Sequence, residues 1–143
     1  DGTLKKEYRA LVHGIPPFHG MIDAPVFTPP EATVKREVDR RGKPALTEYF
    51  TEKTNNTLSL LRVLPRTGRT HQIRVQFSHR KLPLLGDIRY GSKADCDPAL
   101  WSFRLGFVHP VTKKRVDVMA APPAVYPWTL FAGEIGGVVG EFN

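Results

Sequence analysis

The stretch "ALTEYFTEKTNNTLSLLRVLPRTG", from Ala45 to Gly68, decides the fold class. Two runs rich in β-branched, aromatic and aliphatic residues flank "TNNT", where Asn55 and Asn56 tolerate the positive φ of a tight turn, so a β-hairpin is predicted. Upstream, "KKEYRALV" (Lys5 to Val12) keeps the same period of two, with Tyr8, Ala10 and Val12 on one face and Glu7, Arg9 and Leu11 on the other. Between these pieces "HGIPPFHG" reads as a loop and "MIDAPVF" as a short extended segment. "EATVKREVDRRGKPA" reads as a charged excursion or a ribbon turning near Gly42.

After Gly68 the period moves toward the helical 3.6. Thr70 is the expected N-cap, Ile73 and Phe77 form a buried i, i+4 pair, and His71 and Arg74 flank that stripe; Val75 interrupts it. "PLLGD" and "YGS" predict a tight, packed loop. "ALWSFRLGFVHPVTKKRVDVMAAPP" predicts two more strands around "HPVTKK", and "PAVYPWTLF" a short closing helix. Residues 1–143 are thus expected to form one α+β unit built mainly on antiparallel pairs.

A chain of 143 residues with 41% hydrophobic content can build one core. Lys and Arg number 21 against 14 Asp and Glu, a formal charge of +7 that favours a polyanionic partner, nucleic acid first. The single cysteine, Cys96, excludes an intrachain disulfide and a cysteine-based zinc cluster, and fits a reducing, cytoplasmic setting. No apolar run approaches the roughly 18 to 20 residues that span a bilayer, so no membrane partner is expected. The first residues, "DGTLKKEYRA", lack the apolar centre of a signal peptide, and the absence of a starting methionine fits a cut or proteolysed piece.

Candidate chemistry concentrates between Arg66 and Arg89. Arg69 follows a glycine at a strand-to-helix junction, where exposed N–H groups also favour a phosphate. For Arg80 and Lys81, RNA-backbone contact and simple solvation stand level. His71 and His79 lie eight positions apart with no carboxylate between them, unlike a metal-binding helix pair, so no metal is expected. A hydrogen-bonding or substrate-facing role suits His71, while His13, His19 and His109 read as loop residues. Asp23 and Asp87 read as turn carboxylates that accept backbone N–H bonds. No "GxSxG", P-loop or "GxGxxG" occurs.

"KEYRALVHG", "GMIDAPV", "LLRVLPRTGRTHQIRVQF", "LPLLGDIRYGS" and "LGFVHPVTKKRVDVMAAPP" appear in the order of the RluA-type RNA pseudouridine synthases, which the chain resembles over nearly its whole length. The resemblance implies the antiparallel pseudouridine synthase core, here as a partial domain, a uridine in ribosomal or transfer RNA as substrate, and no cofactor. It implies that Tyr8 of "KxY" stacks on the uracil and helps remove the C5 proton, and that Arg74 of "HQIR" pairs with the catalytic aspartate. Arg69, Thr70, His71 and Gln72 would shape the pocket or hold phosphate. Leu84 and Leu85 would form an apolar wall, with core packing as the alternative.

The family's nucleophilic aspartate lies in "HRLDxxTSG", upstream of the "KxY" strand, and that motif is absent from these 143 residues. Asp1, Asp23 and Asp87 lack the right neighbours to replace it. The chain is therefore expected to be the C-terminal portion of a catalytic domain, inactive by itself. Arg74 should be solvent exposed, paired with a substitute carboxylate or bound anion, or displaced, because a stranded buried charge costs about 3–5 kcal/mol. The rival readings are a non-catalytic RNA-binding module and a self-associating remnant. Which uridine is modified, whether an S4-like domain precedes, and the oligomeric state are not encoded in any motif.

Overall fold

The computed structural model describes residues 4–30 and 35–134. Eight strands and one α-helix follow in chain order: β1 Lys5–His13, β2 His19–Asp23, β3 Val26–Phe27, β4 Glu37–Val38, β5 Leu46–Thr54, β6 Leu58–Pro65, α1 Gln72–His79, β7 Leu100–Val108 and β8 Arg115–Met119. Six strands form an antiparallel sheet in the order β2-β5-β6-β1-β7-β8, and β3 pairs with β4 as a separate ribbon. Within this sheet β5–β6 and β7–β8 are hairpins joined by short connections, whereas β2–β5, β6–β1 and β1–β7 pair strands that are not consecutive in the chain. Glu31 to Val34, part of the charged excursion, and Asp1 lie outside the described residues.

The β5–β6 hairpin is where the sequence places it, but its turn works differently. Positive φ among non-glycine residues is confined to His71, Lys81 and Lys113 in the described chain, so neither asparagine uses it. Instead Asn55 Oδ1 accepts from the backbone N–H of Thr57 and Leu58, at 2.9 and 2.8 Å, an Asx-type closure. His13 and His19 are also not loop residues. They end β1 and begin β2, bonded to Ser92 Oγ and Glu48 Oε2 respectively. His109 does sit in the β7–β8 turn, its Nδ1 accepting from Val111 and Thr112.

Strand alternation sends Ala10 and Val12 of β1, Leu61 and Val63 of β6 and Tyr49 of β5 to one face, where they pack with Ile73, Phe77 and Leu84. The Tyr49 and Phe77 rings meet edge to face at 5.5 Å. On the opposite face Leu11, Leu60, Leu85 and Ala99 pack with Trp128 and Phe131. These last two belong to the closing segment, a kinked 3-10 stretch over Trp128–Glu134 that starts later than the helix expected from Pro123.

The helix α1 has eight residues, too few to be stable alone, and tertiary contacts hold it. Val75 does not spoil its pattern: it packs against Val26, Ala45 and Tyr90, so the helix buries two sides. Buried Gln76 receives a bond from Thr47 Oγ1 and donates to the carbonyls of Ala24 and Ala45. The N-cap is His71 rather than Thr70, with φ of 58° and no side-chain cap bond. The reason lies one residue on. Gln72 Oε1 reaches back to accept from Arg69 N at 3.0 Å and from Thr67 Oγ1 at 2.7 Å, and Gln72 N donates to Arg69 O at 3.0 Å, so the turn before the helix is closed without the Thr70 hydroxyl.

Beyond the helix the "PLLGD" loop is built on Gly86, whose φ is +83° and whose added Cβ would lie 2.5 Å from the carbonyl oxygens of Cys96 and Asp97. That close approach locks the following residue, Asp87, underneath α1.

Candidate active-site cleft

Tyr8 stands on β1 beside a register shift: Glu7 pairs with Arg104 while Tyr8 pairs with Ser102, leaving Phe103 as an extra residue on β7. Such a bulge twists a strand locally and re-aims its side chains. Tyr8 thereby reaches a cleft of about 240 Å³ between the end of β6, the N-terminal turn of α1 and the start of β7. Its apolar wall is Tyr8, Pro65, Ile73 and Leu100; Lys6, Arg69, His71 and Arg74 supply its polar and cationic side. That volume lies at the small end for ligand pockets and suits a single flat base. Burial raises the Tyr8 hydroxyl above its ordinary pKa, so it is protonated at neutral pH.

Arg74 is held by Asp87. Its Nε donates to Oδ2 at 3.0 Å and Nη2 to Oδ1 at 2.8 Å, a two-point pair, with the guanidinium 5.0 Å from the Tyr90 ring centre. Of the outcomes expected for Arg74, the substitute carboxylate is the one observed. Asp87 accordingly bonds a side chain, not the backbone N–H groups expected of a turn aspartate. The pair is lopsided in burial, 1% exposure for the Asp87 side chain against 21% for Arg74. The bond to Asp87 also raises the arginine's pKa further above its usual range. One edge of the guanidinium is spent on Asp87, and Nη1 and the second Nη2 hydrogen remain for a partner in the cleft.

Tyr90 links this pair to His71. Its hydroxyl accepts from the Arg36 backbone N–H at 2.8 Å and lies 2.9 Å from His71 Nδ1. The arrangement that uses every donor has the Tyr90 O–H donating to Nδ1, leaving the imidazole proton on Nε2. Burial, then the charges of Arg74, Arg36 and Arg89, hold the His71 pKa below its ordinary value. The folded protein therefore resists protonating His71, and the stability this group contributes is lost as pH falls from about 6.5 through the lower folded value. In a proton NMR titration its imidazole resonance is expected to move with a midpoint below 6.5; a higher midpoint would contradict the arrangement.

The remaining predicted residues divide. Arg69 lines the cleft, its Nε anchored on the Pro44 carbonyl at 2.8 Å. Gln72 touches the cleft but is 4% exposed and spends its amide internally, donating to Leu46 O and Thr47 Oγ1 besides the two bonds already described. It builds the turn and has no capacity left for RNA. Thr70 is exposed and lies outside the cleft. Arg80 and Lys81 stand at the far end of α1, about 12 Å from its start at 1.5 Å per residue, Arg80 bonded to the Met21 carbonyl. Leu84 and Leu85 are 0% and 3% exposed, in the cores on opposite faces, and neither lines the cleft. Core packing is the role the structure gives them; Ile73 and Leu100 stand where that wall was expected.

Sequence reasoning missed Lys6, Leu100, Tyr90 and the bond between Asp87 and Arg74. Lys6 was within reach, since it shares a strand face with Tyr8 at i, i+2. Among the described residues no group of three His, Cys, Asp or Glu side chains could hold a metal, and no helix is long and apolar enough to cross a membrane.

The sequence model of the family described as RNA pseudouridylate synthase matches residues 1–79, more than half of the chain. The chain belongs to the RNA pseudouridylate synthase family. An uncharacterized RNA pseudouridine synthase YjbO of Bacillus subtilis (strain 168) is 35% identical over 126 residues, 86% of this chain and 44% of that protein. Ribosomal large subunit pseudouridine synthase D of Zymomonas mobilis is 37% identical over 136 residues, 86% of this chain and 43% of that protein. The chain thus spans less than half the length of these curated pseudouridine synthases. Among solved structures, human RNA pseudouridylate synthase domain containing 1 superposes with a TM-score of 0.75 at 24% identity, covering 97% of this chain and 62% of that one. That likeness shows the fold: the mainly antiparallel sheet with one α-helix is a pseudouridine synthase core.

Proposed function

We propose that the cleft between Tyr8 and Arg74 receives a uridine flipped out of RNA, and that the chain supplies this pocket to a pseudouridine synthase. Turning a base on its ribose requires extruding it from the stack, at a cost of a few kcal/mol. An aromatic face, a cationic rim and a narrow apolar slot are what recover that cost, and Tyr8, Arg69 and Ile73 with Leu100 provide them. The reaction breaks the bond from ribose C1′ to uracil N1, rotates the base, and forms a bond from C1′ to C5, after which C5 gives up its proton and N1 takes one up, so the product is an isomer. Tyr8 stacks on the ring, its hydroxyl protonated before the reaction begins. Any help it gives in removing the C5 proton requires the hydroxyl to hand its proton on.

The observation that carries this reading is that Arg74, held by Asp87 through Nε and Nη2 only, lines the same cleft as Tyr8. Asp87 is buried against Arg74 and orients it; the attacking carboxylate of "HRLD" would come from outside these 143 residues and pair with the remaining Nη1 of Arg74. Ribosomal or transfer RNA is the substrate class this reading gives, and the cytoplasm the compartment.

Tritium release from RNA labelled at uracil C5 is the test, run with this chain and with the same chain extended through the full reading frame. Release by the extended protein alone is the expected result. Release by the 143-residue chain would show that the acid lies within it. Release by neither, with salt-dependent RNA binding retained, would assign the fold to RNA binding without catalysis.

A further inference from the structure

A second cavity, about 390 Å³, opens on the other side of the Gly68–Arg69 turn, between that turn and the β3–β4 ribbon. It shares Gly68 and Arg69 with the uridine cleft, so the two lie on either side of one turn. Its lining holds Arg36, Arg41, Lys43 and Arg69 and, among the described residues, no carboxylate. Backbone geometry builds it. Lys43 exchanges two bonds with Val26, N to O and O to N at 2.9 Å, and a Cβ on Gly42 would come within 2.4 Å of the Val26 carbonyl carbon. The ribbon is tied to the uridine cleft through the Arg36 N–H bond to the Tyr90 hydroxyl, which also contacts His71.

The cations are not equivalent. Arg41 is committed to Asp39 by two side-chain bonds and stacks 4.2 Å over the Phe27 ring. Lys43 is exposed and has no carboxylate at ion-pair distance among the described residues. Arg69 fixes only its Nε, on Pro44 O, so both terminal nitrogens are available. Two cations, Lys43 and Arg69, facing one cavity beside a base-sized slot fit a phosphodiester better than a second base, because they offer N–H donors and positive charge to an anion.

We propose that this cavity binds a backbone phosphate of the RNA strand within two nucleotides of the flipped uridine, with Lys43 and Arg69 as its ligands, fixing which nucleotide is presented to Tyr8. The proposal rests on the uridine reading of the adjacent cleft and adds to it a subsite that determines register.

The test is fluorescence anisotropy of a labelled RNA stem-loop with uridines in its loop, over a salt series, with the wild-type chain, Lys43→Gln, and Lys114→Gln on the β7–β8 turn as control. Each phosphate neutralised in a single strand contributes roughly 0.7 to the slope of log K against log salt. Lys43→Gln is expected to lower the slope by about that amount and Lys114→Gln to leave it unchanged. A neutral methylphosphonate scanned along the loop should weaken wild-type binding at one position near the uridine and have no further effect there in Lys43→Gln. Wild-type binding with the same slope in Lys43→Gln, or additivity at every scanned position, would overturn the subsite and leave the uridine reading standing. Absence of wild-type RNA binding would overturn both. Inorganic phosphate that shifts the Gly42 and Lys43 amides while the RNA slope stays unchanged would assign the cavity to a free anion and overturn the RNA assignment.

Discussion

Arg74→Gln is expected to destabilise the chain by about 3 kcal/mol, whereas Asp87→Asn costs about 1–2 kcal/mol. The asymmetry follows from burial. Deleting the arginine strands a carboxylate with 1% exposure, while deleting the aspartate strands a guanidinium with 21% exposure that reaches water in the cleft. Urea midpoints for the two variants check the order. Equal costs would mean that the pair is not the buried anchor described. In the extended protein both variants should also lose tritium release, and Asp87→Glu should restore part of it, because a carboxylate one methylene longer can still grip the Nε and Nη2 edge. A purely structural Asp87 would show loss in proportion to stability and no separate dependence on the conservative variant.

The second large effect lies on the opposite face of the sheet. Arg9 is 1% exposed, pairs with Glu7 Oε2 at 2.6 Å and Glu52 Oε1 at 2.8 Å, and lies 4.2 Å over the Phe103 ring. Arg62 Nε approaches the same Glu7 oxygen at 3.2 Å. Arg9→Met removes the cation 2.8 Å from Glu52 and the one 2.6 Å from Glu7, an expected loss of about 3–5 kcal/mol. Adding Glu52→Gln should recover about 1 kcal/mol or more, since one stranded charge is removed and the pair is coupled.

The pH dependence has a definite sign. Burial, opposed by Arg9, raises the Glu52 pKa above its ordinary value, so the folded state binds the proton more tightly than the unfolded chain. The stability it contributes is present below about 4.5 and is lost as pH rises through the folded value. Arg9→Met should therefore be least damaging near pH 4 to 5 and most damaging at neutral pH. A loss independent of pH would contradict this role for Glu52.

Most of the sheet was legible because period two is a local signal. Tyr8, Ala10 and Val12 share a face in any extended strand, and two such runs around "TNNT" can hardly avoid pairing. The helix was legible through Ile73 and Phe77, but its start was not: the turn before it is closed by Gln72, whose side chain accepts from Arg69 N and whose own N–H donates to Arg69 O, and nothing in the spacing distinguishes Gln72 from a solvent-facing residue. Gln72 and Gln76 look like surface positions in sequence and turn out to be buried amides that share Thr47 of β5 and bond further groups distant in sequence. Asp87 lies 13 residues from Arg74, and the bond between them depends on the φ of Gly86, which only the tertiary contact with Cys96 and Asp97 requires. The apolar wall was misplaced because "PLLGD" is hydrophobic whether it lines a pocket or fills a core, and burial decides between them.

If Tyr8, Arg69, His71 and Arg74 form the place where RNA meets this chain, amide chemical-shift mapping of the labelled 143-residue chain, titrated with a stem-loop RNA carrying unpaired uridines, will show it directly. The largest shifts are expected at Tyr8, Gly68, Arg69, His71, Arg74 and Leu100. Shifts confined to the far end of α1 around Arg80 and Lys81, or to the β7–β8 turn, with the cleft unmoved, would contradict it.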